Sequence, residues 1–148
     1  MLSSNEINNL EEILGCLKQY YCSQFNNIQI EYRSDNDLRF NGKLENNTII
    51  INNNHSYKRA EKTLYHEFRH IWQRIYYSDL YNFWLSCSEY KEKFFYRNCS
   101  IEKDAIIFSE LQDGYDSTDI LDEWAYNPRL ELEHLRKVYQ DRNLNNYY

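Results

Sequence analysis

The sequence contains only three glycines and one proline among its 148 residues. Stretches rich in glycine or proline form the linkers between domains, and this chain has none. A chain of this length fits one domain around one hydrophobic core. We therefore predict a single domain that covers residues 1–148.

Long apolar runs and clusters of basic residues are also absent. No segment approaches the roughly 18 apolar residues of a membrane-spanning helix, and residues 1–6 have neither the basic nor the apolar region of a signal peptide. The 17 Lys and Arg residues are scattered among 23 Asp and Glu residues, which gives a net charge of −6. Nucleic-acid binding needs clustered positive charge. We expect a soluble, cytoplasmic protein that binds neither membranes nor nucleic acids.

The four cysteines, Cys16, Cys22, Cys87 and Cys99, form no CxxC pair. This spacing argues against a cysteine-based zinc site or a redox motif. Because no secretory signal is present, we expect free and mostly buried thiols rather than disulfides.

The N-terminal half predicts one helix followed by a small sheet. Leucines at helical spacing indicate a helix over residues 4–24 with Ser4 as its N-cap. Asn41-Gly42 between two short alternating runs is a hairpin signal. The connections are too short for crossovers, so we predict three or four mostly antiparallel strands. The strand-like runs cover residues 28–32, 38–40, 43–44 and 48–51.

The second half is mainly helical. A helix from about Ser56 to Tyr77 has an apolar stripe on one side and a stripe with two histidines on the other, as a central active-site helix would. The apolar stripe is Ala60, Leu64, Phe68, Ile71 and Ile75, and the other is His66, His70, Gln73 and Tyr77. Further helices are predicted within residues 79–98, over 100–112 with a stop at Asp113-Gly114, after Ser117 or Thr118, and from Arg129 to about Arg142.

His66 and His70 lie four residues apart, hence about 40° apart around the helix and one turn along it. Both imidazoles can therefore bind one zinc ion. Glu67 can reach the edge of the same site, where a carboxylate takes a proton from activated water and returns it to the leaving amine. The chain has only four histidines, so a chance match is improbable. We predict a zinc site with His66 and His70 as ligands and Glu67 as the catalytic base and acid.

A catalytic zinc site needs a third protein ligand. His55, His134 and several downstream carboxylates are candidates by residue type. We prefer Glu102 because isoleucines flank it in a predicted helix, and Ala105 on the same face would let that helix pack closely against the motif helix.

The histidine motif together with Glu102-Lys103-Asp104-Ala105 resembles gluzincin metallopeptidases, in which the Glu of an ExxA motif is the third zinc ligand. The layout is most similar to the ImmA/IrrE-type group of small bacterial and phage metallopeptidases. These proteins have a short strand, a loop and the HExxH helix, followed by ExEAxxF, which residues 102–108 match with Asp104 at the second Glu. Arg69 departs from that group, which commonly has a small residue there, and residues 66–73 resemble small phage-type or toxin-like HExxH domains instead.

Other residues of a peptidase site are assigned less directly. Asp104 either orients a ligand histidine or is a carboxylate on the helix surface. Tyr126, Arg129 and His134 are candidate oxyanion donors by type, although a structural role fits each of them better. Thr48–Asn52 is a candidate edge strand for pairing with an extended substrate.

We therefore predict an α+β fold with a small sheet packed against a helical zincin core, and a zinc-dependent endopeptidase that acts on a protein or peptide substrate. Two alternatives stay open. One is a zinc-containing regulatory or binding module with little peptidase activity, and the other is a helical interaction protein without metal. The substrate and the oligomeric state are not predicted.

Overall fold

The computed structural model describes residues 1–21, 25, 27–89, 93–112 and 117–145, and its fold is α+β. Its helices are α1 (Ser4–Tyr20), α2 (Tyr57–Tyr76), α3 (Ser78–Glu89), α4 (Lys93–Asn98), α5 (Ser100–Leu111), α6 (Asp119–Ala125) and α7 (Pro128–Asn145), and its strands are β1 (Gln29–Arg33), β2 (Gly42–Glu45) and β3 (Thr48–Asn52). None of the helices in the described part of the chain has the length and hydropathy needed to cross a membrane.

The chain divides into two compact units, Met1–Phe68 and Arg69–Tyr148, and the boundary falls inside α2. Because α2 is one continuous helix, the residues on either side of the boundary keep helical spacing along it. The single domain over residues 1–148 stays a prediction.

The sheet of the first unit has three strands in the order β1-β3-β2. Strand β3 is parallel to β1, with Ile30 opposite Ile49, and antiparallel to β2, with Leu44 opposite Ile49. The prediction of a mostly antiparallel sheet is therefore wrong, and residues 38–40 form no strand. Strand β2 runs in the direction opposite to β1, and β3 then reverses direction again and lies between β1 and β2. A parallel pair arises in this way without a helical crossover.

The hairpin turn lies at Asn46-Asn47 and not at Asn41-Gly42, where the sequence predicted it. Asn46 has a φ of 54°, in the left-handed region that asparagine tolerates better than most residues. Gly42 is instead the first residue of β2. A Cβ atom there would collide with the carbonyl oxygen of Ile50 and the side chain of Thr63. Glycine thus allows β2 to approach both β3 and α2 closely.

The buried residues of the first unit lie mainly on α1, β3 and the first part of α2. The helix α1 begins with a capping box in which Glu6 N donates to Ser3 Oγ and Ser3 N donates to the Glu6 carboxylate. The predicted cap, Ser4, is therefore off by one residue, and α1 ends at Tyr20 rather than at residue 24. On α2, Phe68 is fully buried and stacks with Phe25 at 5.3 Å between ring centroids. The other buried residues of this core include Leu10, Leu14, Leu17, Ile49, Ile50, Ile51, Ala60 and Leu64.

The second unit packs α3, α4, α5, α6 and α7 around one apolar cluster. Its members include Leu80, Trp84, Phe95, Ile101, Leu121, Leu132 and Leu135. Pro128 is the first residue of α7, where the missing N–H costs nothing because the first helical N–H groups have no partner in the helix. Thr118 precedes α6 as predicted, whereas the predicted stop at Asp113-Gly114 lies outside the described residues.

The described cysteines are free thiols. Cys87 and Cys99 are buried and Cys16 is exposed, in line with the expectation of free and mostly buried thiols. Cys22 lies outside the described residues.

Candidate metal centre

The helix α2 carries the histidine motif in its middle. The first four members of its predicted apolar stripe are buried, whereas Ile75 near the helix end is 39% exposed. His66 and Glu67 are partly exposed, and His70 is 3% exposed. The helix therefore holds one histidine inside the protein and presents Glu67 to a surface that water can reach.

The helix α5 brings Glu102 to this pair of histidines. One ligand atom from each of His66, His70 and Glu102 lies within 4.8 Å of the other two. His70 Nε2 and Glu102 Oε1 are 2.8 Å apart. Ligands placed 2.0–2.1 Å from a tetrahedral zinc ion are about 3.3 Å apart. The separation of His70 and Glu102 is about 0.5 Å shorter than this spacing, and no separation within the group exceeds it by more than about 1.5 Å.

The chemistry of this group fits a catalytic zinc ion. Two imidazoles and one carboxylate are a known ligand set of such sites, and three protein ligands leave one coordination position open. Within the described residues, this is the group of histidine, cysteine and carboxylate side chains that is close enough to hold a metal ion. The predicted ligands are thus brought together, and their role as ligands stays a prediction.

Aromatic side chains and one amide fix the position of the His70 ring. Trp84 stacks on it, with 4.8 Å between centroids and 22° between the planes, and Tyr81 lies at 6.3 Å. The Nδ1 atom of His70 lies 2.8 Å from Gln73 Oε1. Gln73 is fully buried one turn further along α2. Hydrogen bonds to the outer nitrogen of a ligand histidine orient the ring towards its metal.

A buried ion pair lies behind this amide. Asp104 Oδ2 accepts hydrogen bonds from Gln73 Nε2 at 2.7 Å and from Arg69 Nε at 2.7 Å, and Asp104 Oδ1 accepts one from Arg69 Nη2 at 3.1 Å. The side chains of Arg69 and Asp104 are 2% and 0% exposed. The alternative of a surface carboxylate at Asp104 is therefore wrong. Asp104 is linked to His70 through Gln73.

Arg69 belongs to the residues behind the site, a role that its departure from the family pattern in the sequence did not predict. The guanidinium lies 3.7 Å above the ring of Trp72 and 5.0 Å from the ring centroid of Phe108. Large aromatic side chains on the same face, at Tyr65 one turn before Arg69 and at Trp72 one turn after it, were the available signal. A cation on such a face is buried, and a buried cation requires an anionic partner.

Glutamate 131 of α7 caps the helix that carries Glu102. The backbone N of Ser100 donates to the Glu131 carboxylate, and Ser100 Oγ donates to its second oxygen at 2.8 Å. Among the described residues, the side chain of the N-cap residue Cys99 makes no capping hydrogen bond. Burial raises the pKa of the Glu131 carboxyl above its ordinary value, and the hydrogen bonds from Ser100 oppose this shift. The first turn of α5, with Glu102 in it, is thus held by a residue far along the chain.

The remaining candidates do not belong to the group of three. His55 is 6% exposed in the loop before α2, and its ring nitrogens have no hydrogen-bond partner among the described residues. His134 is exposed and stacks on Trp124 at 5.6 Å. Tyr126 is 76% exposed and Arg129 is exposed as well. The structure therefore supports neither alternative third-ligand histidine.

Comparison with protein-family models, with curated proteins and with solved structures found no match for this chain. The function is therefore inferred from the residues of the site and from their geometry. The resemblance to gluzincins rests on the motif residues alone.

Proposed function

We propose that the protein is a zinc-dependent endopeptidase that acts on a protein or peptide substrate in the cytoplasm. The observation that carries this proposal is the convergence of His66, His70 and Glu102, whose ligand atoms lie within 4.8 Å of one another. The proposal takes these three residues as the zinc ligands and Glu67 as the catalytic residue. It is supported by the ligand types, which match those of hydrolytic zinc sites.

His66, His70 and Glu102 would hold the zinc ion, which would supply a Lewis acid for the activation of water and of a carbonyl group. Glu67 follows the ligand His66 directly on α2 and is partly exposed. Its carboxylate accepts a proton from the attacking water and then donates it to the leaving amine, so that one group serves both halves of the reaction. His70, by contrast, is buried against Trp84, which suits a ligand that must not move.

An extended substrate requires a strand edge, and β3 does not provide one because β1 and β2 flank it. The prediction that Thr48–Asn52 pairs with substrate is therefore wrong. Strand β2 is an edge of the described sheet, and it meets α2 where Gly42 contacts Thr63. Thr63 lies one turn before Glu67 on the same face of α2. A peptide added to the edge of β2 would thus run beside the helix that carries the catalytic carboxylate.

The experiment that tests this proposal compares zinc-loaded wild-type protein with Glu67→Gln. Each is incubated with a proteome extract, and mass spectrometry identifies newly formed peptide termini. We expect new termini with the wild type only, because Glu67→Gln removes the proton acceptor and lowers the rate by about 10²–10⁴-fold. Both proteins should bind one zinc ion per chain, since Glu67 is not a ligand.

The ligand assignment is tested separately with Glu102→Ala and with Glu110→Ala, the same change at an exposed position of α5. Glu102→Ala should lose zinc, and Glu110→Ala should keep it. Full zinc content in Glu102→Ala would refute the third ligand. If the wild type binds zinc but forms no new peptide termini, the zinc-containing binding module is favoured over the enzyme. If the wild type binds no zinc, both of these functions are refuted.

A further inference from the structure

We propose that Gln73 is a positioning residue that determines which nitrogen of His70 is offered to the metal, and that it is itself oriented by Asp104 and Arg69. The inference rests on the proposed zinc site and concerns how strongly that site binds its metal. It assigns a role to a buried group that the catalytic proposal does not use.

The orientation of the Gln73 amide follows from its neighbours. Its Nε2 atom donates to the carbonyl oxygen of Ile101 at 2.9 Å and to Asp104 Oδ2 at 2.7 Å. Both neighbours are acceptors, so the reversed amide would place an oxygen against two oxygens. The Oε1 atom of Gln73 therefore faces His70 Nδ1.

Asp104 cannot turn away from Gln73 because Arg69 holds it. Arg69 donates to both oxygens of the carboxylate, and both side chains are almost completely buried. Paired hydrogen bonds of this kind fix the plane of a carboxylate as well as its position. A chain of hydrogen bonds thus runs from Arg69 through Asp104 and Gln73 to His70.

Stacking on Trp84 fixes the plane of the His70 ring, but it is compatible with two ring orientations that differ by 180°. Only one of them places Nδ1 next to Gln73. Since Gln73 Oε1 is an acceptor, Nδ1 carries the hydrogen, and the lone pair of a neutral ring is on Nε2. That lone pair faces Glu102 Oε1 at 2.8 Å. Two electron-rich atoms at this distance repel each other unless a proton or a metal ion lies between them, and two ligands of one metal ion are adjacent in this way.

A glutamine suits this position better than a glutamate does. Its amide donates to a carboxylate on one side and accepts from an imidazole N–H on the other. A glutamate at position 73 would accept from His70 as well, but it would face Asp104 with a like charge. Replacement of Gln73 by Glu should therefore fail to restore the site, although a carboxylate is a common partner of ligand histidines.

The test measures zinc affinity by competition with a chelating dye in Gln73→Met, Gln73→Glu and a control, Gln29→Met, which makes the same change at an exposed position of β1. Loss of a hydrogen-bond partner of a ligand histidine weakens metal binding by about 10–100-fold. We expect this loss in both Gln73 variants and an unchanged affinity in the control. Wild-type affinity in Gln73→Met would overturn the proposal.

The order of the residues is tested by combining Gln73→Met with Asp104→Asn. Asp104→Asn should weaken zinc binding in the wild type and have no further effect in Gln73→Met, because Asp104 acts through Gln73. Additive losses would refute this order.

A second readout does not depend on zinc. Nitrogen-15 NMR of the metal-free protein is recorded at mildly alkaline pH, where imidazole is neutral. The hydrogen of the His70 ring should be on Nδ1 in the wild type. In Gln73→Met it should exchange between Nδ1 and Nε2. A wild-type hydrogen on Nε2 would overturn the proposal. If the wild type binds zinc and shows this tautomer but cleaves no protein, the proposed function fails and the role of Gln73 stands. If it binds no zinc, the proposed function fails, and the tautomer in the two proteins still decides the inference.

Discussion

Replacing Asp104 by alanine would leave the Arg69 guanidinium buried without its anion, since the side chains are 0% and 2% exposed in the pair. Two unit charges about 4 Å apart interact by about 4 kcal/mol at an effective dielectric constant of about 20. Removal of one partner of a buried pair costs about 3–5 kcal/mol. We therefore expect Asp104→Ala to lower the free energy of unfolding by about 3–5 kcal/mol. Each kcal/mol lowers the Tm of a chain of this size by about 2–4 °C.

Urea unfolding of metal-free protein, followed by circular dichroism, measures this loss without a contribution from zinc binding. The matched control is Arg39→Met. Arg39 also pairs with an aspartate, Asp37, at 3.0 Å, but its side chain is 92% exposed. Water screens such a pair, so the urea midpoint of the control should equal that of the wild type.

A loss below about 1 kcal/mol in Asp104→Ala would refute the reasoning, because it would mean that Arg69 reaches water when its partner is removed. The double variant Arg69→Met with Asp104→Leu provides a second check. It removes both charges and keeps the volume apolar, a change that is often neutral or stabilising. Recovery of most of the lost stability is expected, together with weaker zinc binding because Gln73 has lost Asp104.

Two further predictions concern glycine and glutamate positions. Gly42→Ala should destabilise the protein by about 1–3 kcal/mol because its Cβ would collide with Ile50 and Thr63. Gly15→Ala should stabilise it by about 0.5–1 kcal/mol, because a Cβ at this exposed position of α1 meets nothing within 4 Å. Urea unfolding measures the change in the free energy of unfolding for both variants. Burial raises the pKa of Glu131 above its ordinary value of 4.5, so its contribution to stability is fully present below about that pH and is lost as the pH rises through the raised pKa. Stability should therefore fall less between acidic and neutral pH in Glu131→Gln than in the wild type, and equal slopes would contradict this.

The helices could be predicted because their signals are local. Periodic apolar residues define α2 and α5 in the sequence, and the turn of a helix brings His66 and His70 to one face without any knowledge of the rest of the chain. The apolar flanks of Glu102 indicated burial near α2, and the structure places it 2.8 Å from His70. Whether the three residues bind zinc stays a prediction.

The sheet and the residues behind the site could not be predicted because they depend on pairings between distant segments. Asn41-Gly42 and Asn46-Asn47 are both acceptable turns, and the fold uses the second because Gly42 is needed where β2 approaches α2. The partners Arg69 and Asp104 are 35 residues apart. Each looks exposed when considered alone, and only the packing of α2 against other helices of the second unit explains their burial.

The cap of α5 has a consequence for the order of events during synthesis. Glu131 lies 31 residues after Ser100, whose N–H and hydroxyl group it binds. A chain that grows from its N-terminus thus contains all of α5 before the residue that caps it exists. Until α7 has been made, the turn with Glu102 has open N–H groups and frays more readily. A nascent chain that ends before residue 131 should therefore hold His66 and His70 at helical spacing while Glu102 is not yet fixed, so metal binding at the proposed site would be a late event in the maturation of the protein.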